Sequence, residues 1–391
     1  MQNSRFNLAE LVEIRQYIHK FAEISYEEHN TSAKIKETLV SKGVDPNCIK
    51  SCAKTGLVVD IKGEGPATGP DHKIVAFRAD MDALEMKEEN YTVPYRSVTK
   101  GAHMCFHDGH VTCLLGGIMM LLDNIDHMPS NRTARFLFQP AEEKYGGASR
   151  MISEGCLKEV SEIWGMHCYP YEPPNTIFVK NGISYAGVRD YTITVHGKGG
   201  HSSFKKDLID PFIVVCDFKV RLEQILATDL ADVNEKLFTV CFPKIKASDS
   251  NNVIADRAIV SGIFRYIDVS AIEIFNQVLL KLIKELEEDY KVKITLTKDT
   301  DYPILFNNEE LVGSLQDINP EVQEHDEVRM GADDFAEFCK VVPGCYFKYY
   351  VGNKKGQMLH TPNIDFDDQC IEPTALNWLM IMRSRLDFIQ K

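Results

Sequence analysis

HMCFHDGH, His103–His110, packs three histidines, a cysteine and an aspartate into one stretch, and the apolar run VTCLLGGIMMLLDNI, Val111–Ile125, follows it as a helix candidate. Further along stand the adjacent carboxylates Glu142 and Glu143. A thiol, imidazoles and paired carboxylates are what a hydrolytic metal site needs. One residue separates Cys105 from His107, so in an extended or turning backbone both can face the same point. A structural zinc knot would need CxxC-type pairs, and the chain has none. The bland alternative makes Cys105 a buried thiol and the histidines ordinary turn residues.

Working outward, the same design recurs. KIVAF, Lys73–Phe77, is a β-branched and aromatic run ending in the acidic turn RADMD, Arg78–Asp82. ARFLFQP, Ala134–Pro140, runs into Glu142 and Glu143; EIWGMH ends on His167; CYFKYYVG, Cys345–Gly352, precedes His360 by a short loop. Helix candidates lie between and after these strands, notably TALNWLMIMRSRLDFI from Thr374. Strands alternating with helices imply an α/β fold with a mostly parallel sheet, whose ligands bind beyond the strand C-termini. All the candidate ligands then share one edge, whereas chance would scatter them over both ends of the strands.

The middle of the chain has another rhythm. RDYTITVHG, a helix from Asp210, LFTVCFPKI, RAIVSGIFRYI, a helix over Ser270–Tyr290 and KVKITLT follow the order β-α-β-β-α-β, that of a ferredoxin-like α+β unit. This places an inserted domain at residues 187–301 within a discontinuous domain of residues 1–186 and 302–391.

Composition narrows the partners. Hydrophobic residues at 44% and aromatics at 9% are globular values. A net charge of −13 without a basic stripe disfavours nucleic acid and anionic membrane. No apolar run approaches a membrane span, the N-terminus reads as an amphipathic helix rather than a signal peptide, and eleven scattered cysteines suit a reducing compartment, so the expected location is the cytoplasm.

FRADMDALEM, HMCFHDGH, FQPAEEKYGGASRMISEG, GMH, GKGGHSS, NNVIAD, GADDF and LHTP, in that order over nearly the whole chain, resemble the amidohydrolase branch of the aminoacylase and carboxypeptidase G metallopeptidase superfamily. Hippurate hydrolases and plant auxin-conjugate hydrolases are the members it is most similar to. The resemblance implies a zinc-peptidase-like catalytic domain with an inserted lid or dimerisation domain, and a homodimer or higher homo-oligomer. It implies two divalent metals per subunit, zinc or manganese before cobalt or nickel. Carried over, the ligands are Cys105, His107, Glu143, His167 and His360, with Glu142 as general base and Cys105 bridging. His201, in GKGGHSS, would donate to the developing oxyanion from the lid; Asn252 and Arg265 would bind substrate, the guanidinium pairing a carboxylate. Asp80 and Asp82 would orient imidazole ligands, and one of Asp333 and Asp334 would do the same in the family pattern, while His103, Asp108 and His110 would fix the loop, with an approach of His110 to the metals as the alternative.

Departures from the pattern are Met104, Phe106 in place of the usual glycine, Glu85, Ser202 and Ala255; none removes a ligand or the base. The expected activity is hydrolysis of the amide of N-acyl amino acids, of hippurate or auxin-conjugate type. The alternatives are a dipeptidase or carboxypeptidase, and a catalytically inactive binding or regulatory homologue.

Overall fold

The computed structural model describes residues 4–231, 237–324, 328, 330–352 and 356–389. Strand Lys73–Asp80 is buried from Ile74 onward without alternation, as an interior parallel strand must be. It pairs in parallel with Arg132–Gln139 on one side and Val160–Tyr169 on the other, and Gly344–Tyr350 extends the parallel set. Antiparallel strands Gly56–Lys62 and Ile49–Cys52 finish one edge, and Ile177–Val179 with Gln323–Glu324 the other, giving eight strands. The parallel sheet expected from the sequence is its centre; the antiparallel flanks were not anticipated.

Two boundaries differ from expectation. The strand expected to stop at Phe77 runs on through Arg78–Asp80, paired to Gln139. Arg78 can stay in the interior because its guanidinium meets Gln139 Oε1 at 2.8 Å, Asp80 Oδ2 at 2.6 Å and Asp334 Oδ1 at 3.2 Å. The helix expected after His110 starts at His107 and ends at Leu122. Phe106 turns the chain into it from the left-handed region, φ 67°, which costs a non-glycine residue about 1–2 kcal/mol. Its ring is buried edge-on to Phe366, centroids 5.6 Å apart.

Helix His107–Leu122 packs on Ile371–Arg385, and Gly116 and Gly117 permit the approach: a Cβ there would stand 2.7 Å from Ala375 and 2.8 Å from Trp378. Helix Leu8–Lys20 also packs on it, carrying Arg15 and His19 into the interior. Arg15 Nη1 donates to Asp108 Oδ2 at 3.0 Å, and its Nε pairs with Asp368. His19 contacts the same Asp108 oxygen at 2.8 Å and Glu88 at 3.3 Å.

The chain divides into two compact units. Met1–Ser184, Phe306–Glu327 and Asp334–Lys391 form one; Tyr185–Leu305 and Val328–Asp333 form the other. The second is a four-stranded antiparallel sheet ordered Phe238–Lys246, Arg257–Tyr266, Gly187–His196, Lys293–Tyr302. Helices Pro211–Ala227 and Val269–Tyr290 pack on that sheet and on each other, burying Phe218, Leu222, Phe275 and Leu279. This is the ferredoxin-like arrangement expected. Among the described residues no helix is long and apolar enough to cross a membrane.

Candidate metal centre

Strand order puts the C-terminal ends of the central strands side by side, and the predicted ligands of the first unit converge there. Cys105 Sγ lies 3.3 Å from His167 Nε2 and 3.2 Å from His360 Nε2. Glu143 Oε1 lies 3.9 Å from His107 Nε2 and 3.7 Å from His360 Nε2. Two donor sets result, Cys105 with His107 and His167, and Cys105 with Glu143 and His360; within each set the ligand atoms lie within 4.8 Å of one another. The sets share the thiol. Glu142 joins His107 and Glu143 in a third set of the same dimensions.

Each inner imidazole is held by its far nitrogen. His107 Nδ1 donates to the Asp82 carbonyl at 2.9 Å, and His167 Nδ1 to the Cys168 carbonyl at 2.7 Å. That holds each ring in place and turns its Nε2 inward. His107 Nε2 and Glu143 Oε1 are buried with no hydrogen-bond partner among the described residues, a costly arrangement unless something else satisfies them. The electrostatics agree. Burial and the neighbouring carboxylates push the Cys105 thiol well up, and burial raises Glu143 to about 7 despite His107. Burial would lower His107, but Asp80, Asp82 and Glu143 lift it to about 10. A thiol, three imidazoles and a carboxylate so placed fit divalent cations, which supply the missing positive charge.

Other candidates take different places. His110 Nε2 accepts from the Cys168 amide at 2.8 Å and its Nδ1 donates to Asp80 Oδ1 at 2.6 Å, so both nitrogens are engaged, although Asp80, His107 and His110 also form a set of the same dimensions. Asp80 thereby joins Arg78 and His110 and stands 3.7 Å from His107 Nε2. Asp334 accepts from Arg78, from Gln139 at 2.7 Å and from the Ala148 amide at 2.9 Å, so it braces the strand ends. His103, expected to hydrogen-bond its loop, is buried with neither ring nitrogen hydrogen-bonded among the described residues, and burial holds it down at about 4.

Asp82 does more than the sequence suggested. Its Oδ1 accepts from the Glu142 amide at 3.0 Å; its Oδ2 accepts from the Glu143 amide at 3.1 Å and from Ser25 Oγ at 2.6 Å. Beside it, buried Glu28 accepts from the Ala141 amide at 2.9 Å and from Thr55 Oγ1 at 2.6 Å. Ser25, Glu28 and Thr55 carried no signal in the sequence, standing outside every motif.

In the second unit, the short pairing of Gly200–His201 with Val253–Ile254 sets His201 beside Asn252, whose carbonyl accepts from the Ser202 amide at 3.0 Å. His201 is exposed, with Nδ1 2.8 Å from Ser203 Oγ. Arg265 is half-buried and donates to the Met330 carbonyl at 2.8 Å.

Residues 76–384 match the family model described as peptidase family M20/M25/M40. The chain is 32% identical over 376 residues to thermostable carboxypeptidase 1 of Saccharolobus solfataricus, covering 94% of this chain and 93% of the relative. It is 31% identical to N-acetyl-L-cysteine deacetylase of Bacillus subtilis, covering 93% and 85%. The crystal structure of Bacillus subtilis YXEP protein, titled a dinuclear metal binding peptidase from the M20 family, superposes with a TM-score of 0.76 at 26% identity, covering 98% and 99%.

Proposed function

Since the chain belongs to peptidase family M20/M25/M40 and is a metal-dependent amidohydrolase, we propose that it hydrolyses N-acyl amino acids, of hippurate or auxin-conjugate type. The observation that carries this reading is the pair of donor sets sharing Cys105, with Glu142 beside them. Cys105, His107 and His167 would hold one cation and Cys105, Glu143 and His360 the other, zinc or manganese. Bound there, two cations acidify water and polarise an acyl oxygen.

The chain's own residues do the rest. Glu142 takes a proton from the attacking water as its oxygen bonds to the acyl carbon, then gives that proton to the amine nitrogen as the carbon–nitrogen bond breaks. Carboxylic acid and amino acid leave. Asp82 holds the amides of Glu142 and Glu143, so the base and its neighbour diverge from one rigid turn. His201 donates to the acyl oxygen as negative charge develops, and Arg265 and Asn252 bind the amino acid's carboxylate end. A homodimer in the cytoplasm completes the proposal. The runner-up, a dipeptidase or carboxypeptidase, has the carboxypeptidase relative in its favour; an inactive homologue has the retained Glu142 against it.

The test is turnover on N-acyl amino acids and dipeptides with each metal, in parallel with Glu142→Gln. That variant should keep its metals and lose at least ~100-fold in turnover, the scale of general-base catalysis. Near-normal turnover would remove Glu142 as the base, and faster cleavage of dipeptides would favour the runner-up.

A further inference from the structure

Three successive amides, Ala141, Glu142 and Glu143, point at two buried carboxylates: the first at Glu28, the other two at Asp82. Consecutive N–H groups converging this way form a concave anion-binding nest. Here the acceptors are side chains of the same chain. Ala141 sits at φ 55°, a left-handed conformation that a non-glycine residue keeps only where its surroundings over-determine it. The turn is closed behind by Gly147, whose amide donates to the Ala141 carbonyl at 3.0 Å. A Cβ on Gly147 would lie 1.7 Å from the Pro140 carbonyl oxygen. Glu28 is fully buried and belongs to none of the cation-sized donor clusters among the described residues. It stands at the head of helix His29–Ser41 without capping it by its side chain, so its carboxylate serves Ala141 and Thr55.

We propose that Glu28 is a positioning residue for the catalytic turn: its carboxylate fixes Ala141 in the left-handed conformation and thereby sets the direction of Glu142. This rests on the reading of Glu142 as general base. Asp82 holds the far side of the turn, and Glu28 holds the side where the chain leaves the sheet. Thr55 aims Glu28, and Ser25, three residues before it, aims Asp82.

The experiment compares Glu28→Ala, Glu28→Gln and Thr55→Val with the parent, each loaded with metal, by steady-state kinetics, elemental analysis and hydrogen exchange of peptides covering residues 139–147 and 103–110. Glu28→Ala should lower kcat ~10–100-fold, the cost of a misplaced catalytic group, with KM nearly unchanged. Metal content should stay at the parent level, and exchange should accelerate in residues 139–147 but not 103–110, with or without metal. Glu28→Gln keeps an acceptor for Ala141 and a donor for Thr55, and should restore most of kcat. Thr55→Val should give a smaller fall of the same kind. Unchanged kcat and exchange in Glu28→Ala, loss of metal from it, or a Glu28→Gln variant as impaired as the alanine would each overturn the proposal. If Glu28→Ala does not fold, Thr55→Val with parental kcat and exchange overturns it. Activity surviving in Glu142→Gln sinks the base assignment instead, while exchange still reports whether Glu28 holds the turn.

Discussion

The donor cluster and the second unit's GKGGHSS turn both set histidine near glycine in sequence, yet their imidazoles are held in opposite ways. In the first unit His107, His110 and His167 are buried and each has a ring nitrogen fixed by a carbonyl or carboxylate. In the second, His201 is exposed and its contact is the serine two residues on. A buried imidazole takes its orientation from the fold. An exposed one takes it from what it meets, so its contribution is realised only on a bound reactant.

The contrast can be broken first at His201. His201→Ala should lower kcat ~100–1,000-fold, the scale of a lost oxyanion donor, with metal content unchanged by elemental analysis; an unaltered kcat would reduce the turn to a surface feature. Next comes Asp82→Asn, which keeps the shape but disturbs the bonds to both amides and the charge 3.4 Å from His107 Nδ1. Metal affinity should fall ~10–100-fold in chelator competition, and parental affinity would mean that the Asp82 backbone carbonyl alone orients His107.

A third effect is on stability and pH. Burial would lower His19, but Asp108 and Glu88 raise it from 6.5 to about 9. A raised folded-state pKa gives stability fully present below pH 6.5 and lost as pH climbs toward 9. Chemical denaturation should show a decline on the order of 1–3 kcal/mol over that window, and His19→Gln should flatten it; an equal slope in the variant would place the titration elsewhere. The smallest effect is the difference between two truncations of Phe106. Truncation to alanine should cost about 3–5 kcal/mol, but Phe106→Gly should be more stable than Phe106→Ala by about 1 kcal/mol, reversing the usual order because φ is positive there. Urea midpoints decide it.

What the sequence disclosed and withheld follows from the distance over which each contact is made. Cys105 and His107 share a one-residue spacing, and Glu143, His167 and His360 each follow a strand-like run, so local pattern and sheet topology together put them at one edge. The antiparallel flanks were missed because short strands leave little periodicity. Helix His107–Leu122 was placed too late because its first turn is made of ligand-like polar residues rather than the apolar run that follows. Ser25, Glu28 and Arg15 reach partners 57, 113 and 93 residues away, and no window of sequence contains both ends of such a bond. A glutamate opening a helix reads as a solvated first-turn acid until the fold buries it.

Arg15 joins Asp108, beside a ligand, to Asp368, 353 residues further along the chain. During synthesis, which runs from the first residue at about 5–20 residues per second, helix Leu8–Lys20 leaves the ribosome long before its second acidic partner exists. His360 belongs to that same late segment. The protein therefore spends most of its translation with Arg15 lacking its full counter-charge and with the donor set incomplete, and a nascent chain stalled before residue 360 should neither capture two cations nor bury Arg15 in its final environment.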